Sequence, residues 1–464
     1  MTCTHRVKAG TVAAAVLALA ACAPATKPGS IRINANPFPS TYARYPSPAT
    51  LIRGATVYDG DGGRIEQGVV LLRDGVIAAV GASNAVAVPA DAVIVDGTGK
   101  FVTPGIIDVH SHLGNYPSPG VQAHSDGNEA TDPVRADVWA EHSVWPQDPG
   151  FSRALSNGGI TSLQILPGSA NLFGGRSVVL KNVYARTVQG MKFPGAPYGL
   201  KMACGENPKR VYGGKSGPST RMGNIATTRA TWLKAVDYKR KWDGYEKDGG
   251  EVPDRDLTMD TLRGVLDGQI LIHNHCYRAD EMALMIDVAK EMGYKIASFQ
   301  HAVESYKIAD LLRENGICSA MWADWYGFKM ESFDGIQENI AFVERAGACA
   351  IVHSDDENGI QRLNQEAAKA LAFGRRAGLQ MTDAQAWKWL SANPAKSLGI
   401  YDRTGSLTPG KMADVVLWNG DPFSVYSRPD KVWIDGAMMY DSADPRRRPV
   451  SDFELGQPGD GDVK

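Results

Sequence analysis

Histidine is scarce in this chain, at nine of 464 residues, and cysteine is scarcer still, at six. No two cysteines form a Cys-x-x-Cys pair, and their wide spacing excludes the disulfide framework of a small stapled scaffold. Charge of one sign is not in excess either. A net charge of −2 gives no electrostatic case for a nucleic-acid partner. The Ala/Val/Leu run from Thr11 to Ala21 is too short to span a bilayer as a mature helix. What is present is ordinary globular material, with 43% hydrophobic and 22% charged residues. Fifty glycines and 26 prolines make the chain turn-rich, which suits many short strands and loops. The length allows about three domains, or one large domain with attachments.

The apolar run is preceded by His5, Arg6 and Lys8, so residues 1–21 read as a signal peptide. Its end, Leu19-Ala20-Ala21-Cys22, resembles the bacterial lipoprotein cleavage site, which implies that Cys22 becomes the lipidated first residue. Export follows, with a lipid anchor at the outer membrane facing the periplasm as the only membrane contact. Residues 22–50, with Pro24, Pro28, Pro37, Pro39, Pro46 and Pro48, predict an extended tether. Cys204, Cys276, Cys318 and Cys349 each stand beside an apolar strand-like run and are expected as buried free thiols.

From Leu51 the texture changes. Short β-rich runs at 55–58, 69–72, 76–80 and 93–95 are punctuated by Asp59-Gly60, Gly62-Gly63, Asp74-Gly75 and Asp96-Gly97, so 51–103 predicts part of a small β-sandwich. After Pro104 strands alternate with helical segments. Strands are expected at 106–112, 161–166, 177–182, 199–204, 269–275, 295–301, 317–322 and 349–355. Helical texture lies at Ala279–Met292, 305–315, 335–346 and 364–376. Eight such units suit an α/β fold, a (β/α)8 TIM barrel over 104–392. Strand texture returns in 393–445, at 414–418 and 431–436. The barrel is therefore expected as an insertion in one composite sandwich, followed by a polar tail at 446–464. The long stretches at 113–150 and 206–258 leave strand ends on the face where barrels place functional loops.

Most of the scarce histidines follow apolar strands. His110 and His112 end Ile106-Ile107-Asp108-Val109, His273 and His275 end Ile270-Leu271-Ile272, His301 ends 296–300, and His353 and Asp355 follow Ala350-Ile351-Val352. Alternate side chains on a strand share a face, so His110 and His112 can converge on one metal. With those two, imidazole or carboxylate at four separate strand ends on the same barrel face points to a metal site rather than to core filling.

The order His110-Ser111-His112, Lys201, His273, His301, Asp355 resembles the amidohydrolase superfamily. So do the flanking segments Asp96-Gly97-Thr98-Gly99-Lys100 to Asp108 and Gly405-Ser406-Leu407-Thr408-Pro409-Gly410-Lys411-Met412-Ala413-Asp414. Leu166-Pro167-Gly168-Ser169-Ala170-Asn171 and Gly205-Glu206-Asn207-Pro208-Lys209-Arg210 are most similar to imidazolonepropionase-like periplasmic hydrolases. The resemblance implies two divalent metal ions, zinc by the usual chemistry, held by His110, His112, Lys201, His273, His301 and Asp355. Lys201 would bridge as a CO2-derived carbamate, with Glu206 as the alternative bridge. Metal-activated hydroxide would cleave an amide, peptide-like or cyclic amide C–N bond of a small molecule, and Asp355 would shuttle the proton. His275, Arg210 and Tyr212 are candidates to touch substrate, and His353 is expected to line the lower core. A mononuclear deaminase or ring hydrolase, and a non-catalytic envelope protein keeping the fold, are the alternatives. Relatives doing deaminase chemistry often carry Glu where Cys276 stands. The sequence leaves the substrate and the oligomeric state open.

Overall fold

The computed structural model describes residues 32–447 except Pro119 and Ser216. The signal peptide, Cys22, the start of the tether and the tail beyond 447 lie outside the described residues. Among the described residues no helix is long and apolar enough to cross a membrane.

Among the described residues sixteen strands follow one another. The first group is β1 (Thr50–Tyr58), β2 (Arg64–Arg73), β3 (Val76–Ala82), β4 (Val93–Asp96) and β5 (Phe101–Pro104). The second is β6 (Ile106–Ser111), β7 (Ile160–Ile165), β8 (Phe173–Lys181), β9 (Tyr198–Ala203), β10 (Ile270–Cys276), β11 (Ile296–His301), β12 (Cys318–Met321) and β13 (Cys349–Val352). The last is β14 (Val415–Trp418), β15 (Pro429–Ile434) and β16 (Ala437–Asp441).

The first and last groups form one eight-stranded sheet, ordered β16-β15-β14-β5-β1-β2-β3 with β4 beside β1. Its β3 edge meets the loop before β14, where the Ile77 and Gly410 amides donate to the Lys411 and Ile77 carbonyls. Ile52, Val57, Leu72, Ile77, Val102, Val415 and Trp433 share the resulting core. Gly105, between this sheet and the barrel, is required by contact: a Cβ there would lie 2.0 Å from Thr161 Oγ1.

The second group is the barrel, eight strands in sequential order from β6 to β13. No ladder joins β13 to β6, but the Asp355 amide donates to the His110 carbonyl at 3.0 Å and brings the two edges together. The fold is the expected α/β barrel with one difference. β8 runs antiparallel to both β7 and β9. Residues 166–172 between β7 and β8 are too few for a parallel crossover, which needs a dozen or more, so the chain makes a hairpin.

Two expectations are corrected. Cys204 pairs with Cys276 and Cys318 with Cys349 in disulfides, where free thiols were expected. Neighbouring parallel strands bring each pair together, and Cys318 and Cys349 stand directly opposite in the β12–β13 register. Sequence separation hides that proximity. The stretch 206–258, expected as loop, contains a helix at Arg221–Asp248. The described part of the tether has no regular structure, but it is strapped to the barrel. Arg176 donates to the Ala35 carbonyl at 2.9 Å, Lys192 to that of Phe38 at 2.6 Å, and Ser40 to that of Lys192 at 2.6 Å.

Candidate metal centre

The apolar runs that end in histidine are the barrel strands themselves, fully buried along β6 and nearly so along β10 and β11. Each delivers its imidazole to the same end of the barrel. His110 lies near the end of β6 and His112 just beyond it, His301 is the last residue of β11, and His353 and Asp355 follow β13.

The ring nitrogens converge on one carboxylate. Asp355 Oδ1 lies 3.3 Å from His110 Nε2 and 3.1 Å from His112 Nε2, and Oδ2 lies 3.8 Å from His301 Nε2. Two ligands each about 2.0 Å from a tetrahedral zinc are themselves about 3.3 Å apart, so these separations suit a shared cation. The far nitrogens fix the tautomers. His110 Nδ1 donates to Gln300 Oε1 at 3.0 Å, and His112 Nδ1 donates to the Leu166 carbonyl at 2.8 Å. The Nε2 lone pairs then face the carboxylate, an arrangement that wants a cation between them. A proton is a poor candidate at His110, because burial and the nearby Lys201 push its pKa down to about 3. Burial alone would raise the Asp355 carboxyl, but His110 and His301 hold it well below the usual carboxylate range. The donor set therefore fits a divalent metal ion.

Among the described residues, His110, His112 and Asp355 form one group within metal-holding reach, and His110, His301 and His353 form another. His353 was expected in the lower core. Instead its Nε2 lies 2.9 Å from His301 Nδ1, which puts it among the ligand candidates. Lys201 is fully buried on β9, its Nζ 3.3 Å from His110 Nε2, and burial pulls its pKa down to about 7. His273 pairs in register with Lys201 but belongs to neither group. Its Nδ1 contacts Ser298 Oγ at 2.9 Å, one layer deeper. His275 sits higher, its ring 4.7 Å from that of His301, and its Nδ1 is buried without a hydrogen-bond partner.

The remaining candidates lie at the mouth. Glu206 begins a helix at Glu206–Tyr212 and faces Lys329 Nζ at 3.9 Å, outside both groups. Arg210 is exposed on the same helix. Tyr212 is buried, donating to the Asp132 carbonyl and accepting from Asn171 at 2.7 Å, which makes it a loop brace. Sequence reasoning missed Gln300, the deep orienter of His110, although it stands one residue before His301. It also missed Trp322, stacked on His301 at 4.4 Å, whose indole donates to the Ser354 carbonyl. Asp108, two residues before His110, accepts from the Ser354 hydroxyl and from the His110 amide, so β6 and the Asp355 loop are tied beneath the centre.

The amidohydrolase family matches residues 101–439. The chain belongs to that family. A crystal structure of an amidohydrolase from Thermotoga maritima superposes with a TM-score of 0.77 at 38% identity, covering 84% of this chain and all of the other. The amidohydrolase tasK of Hapsidospora irregularis is 31% identical over 430 residues, 84% of this chain. The chain spans only 43% of that relative's length. Imidazolonepropionase of Paracoccus denitrificans is 24% identical over 393 residues, covering 78% of this amidohydrolase and 90% of the relative.

Proposed function

We propose that this amidohydrolase is a metal-dependent hydrolase that cleaves an amide, peptide-like or cyclic amide C–N bond of a small molecule. The observation that carries the reading is the convergence of His110 and His112 Nε2 on Asp355 Oδ1, with their far nitrogens already committed. His110, His112, His301 and Asp355 would hold the metal, with His273 or His275 completing a second site. When bound, a divalent ion lowers the pKa of its water to about 7 and polarises a carbonyl.

This chain's residues do the rest. Asp355, its side chain 25% exposed, opens to the mouth and can take the proton of the attacking water and return it to the leaving nitrogen. Lys201 has no carboxylate partner within ion-pair distance among the described residues, and its depressed pKa leaves a large fraction of free amine at neutral pH. A free amine is the form that combines with CO2 to give the carbamate, releasing a proton. That chemistry favours Lys201 over Glu206 as the bridge, since Glu206 faces Lys329.

The test is metal analysis with hydrolysis of a panel of dipeptides and N-acyl amino acids. Turnover that needs the metal is expected. Full metal occupancy with no turnover of any member would favour the non-catalytic alternative. We also propose export with lipidation at Cys22, and the two disulfides support an oxidising compartment. Cys22→Ser should move the protein from the membrane fraction to the soluble one.

A further inference from the structure

The two loops whose sequences stood out, Leu166–Asn171 and Gly205–Arg210, meet at the mouth through Asn207, whose Nδ2 donates to Ser169 Oγ at 2.8 Å. The same amide group lies 3.5 Å from His275 Nε2, and Asn207 Oδ1 accepts from Lys329 Nζ over a long 3.4 Å. Lys329 comes from the loop after β12. Its ammonium stands 4.0 Å over the Tyr277 ring and is largely buried, with 18% of the side chain exposed. Tyr277 in turn packs on His275 and His301, with ring centroids 4.8 and 5.4 Å away.

This ammonium is poorly neutralised. Its nearest acid, Glu206, is at 3.9 Å, the outer edge of an ion pair. Of the other acids acting on it, Glu331 is engaged by Arg221 and Asp355 faces the histidines. A largely buried ammonium with three donors and one long hydrogen bond can accept a further anion at little additional desolvation cost. An amino-acid residue advances the chain by about 3.5 Å. The Tyr277 ring lies between His301 and this ammonium, so a carboxylate one residue beyond an amide held at Asp355 would lie over that ring.

Resting on the C–N hydrolase reading, we propose that Lys329, positioned by Asn207 and Tyr277, binds the free carboxylate of the substrate. The substrate class is then N-acyl amino acids or peptides cleaved next to a free C-terminus, with the side chain against Trp322 and Phe328. Arg210, named from the sequence as a candidate to touch substrate, is exposed on its helix, and on this reading the carboxylate falls to Lys329.

Binding of leucine and of leucinol, which have no amide to cleave, is measured by calorimetry on the metal-loaded wild type, Lys329→Met and Lys329→Arg. The wild type should prefer leucine by about tenfold or more, as a charge-assisted hydrogen bond gives. Lys329→Met should erase that preference and Lys329→Arg should keep it. No preference in the wild type, or a preference that survives in Lys329→Met, would overturn the assignment. A wild type that shows the lysine-dependent preference but hydrolyses no panel member would overturn the C–N reading and leave the carboxylate subsite standing.

Discussion

Asp355 sits at φ 56°, and His301 and Ala302 across the centre sit at φ 70° and 37°. Such left-handed backbone costs about 1–3 kcal/mol at a non-glycine residue and persists only where surrounding structure enforces it. Asparagine tolerates this region nearly as well as aspartate, so Asp355→Asn removes the proton carrier without adding strain. Its kcat should fall by about 10²–10⁴-fold, read by steady-state assay with metal content measured alongside. Lys201 gives a second prediction. In the metal-free protein its pKa is about 7 against 10.5 for an unperturbed lysine. Between those values the unfolded chain holds a proton that the folded chain does not, so stability should rise with pH across that window. The slope should reach up to about 1.4 kcal/mol per pH unit. Lys201→Met should flatten it in urea titrations run at several pH values.

Strands were the most legible elements, because most barrel strands are short apolar runs and candidate ligands mark the ends of β6, β10, β11 and β13. The direction of β8 was also written in the chain, in a connection too short for a crossover, but strand texture alone does not show it. The helix at Arg221–Asp248 was missed because much of its buried seam is polar. Asn224, Thr228, Thr231, Ala235, Tyr238, Trp242 and Tyr245 recur at alternating steps of four and three, which a purely hydrophobic count overlooks. The roles of His353, Lys329 and the four cysteines depended on which strands and loops become neighbours, a non-local fact. The disulfides carry a prediction at this scale. Closing chains of 72 and 31 residues restricts the unfolded state by about 4 kcal/mol each in the chain-entropy account. Cys318→Ser with Cys349→Ser should lower the unfolding free energy by up to that amount while leaving the metal content unchanged, because this pair lies at the strand starts, away from the rim.

At the scale of the whole molecule, one buried lysine ties barrel, composite sheet and N-terminal strap together. Lys181 ends β8 with its side chain fully buried, its Nζ 3.0 Å from Asp435 and 3.4 Å from Asp414. Asp414 immediately precedes β14 and accepts from Thr404, while Asp435 lies in the β15–β16 turn and accepts from Tyr42 of the strap at 2.5 Å. Two carboxylates against one ammonium leave a negative surplus, and burial and Asp414 together push the Asp435 carboxyl upward. Removing the cation strands both acids in a low-dielectric interior. Lys181→Met should therefore destabilise the protein by about 3–5 kcal/mol, the range for breaking a buried pair from one side. The triple change Lys181→Met, Asp414→Asn, Asp435→Asn should recover much of that loss, since no bare charge remains. Denaturant midpoints of the two variants decide the matter: if the triple variant is no more stable than Lys181→Met, the lysine acts through packing and not through its charge.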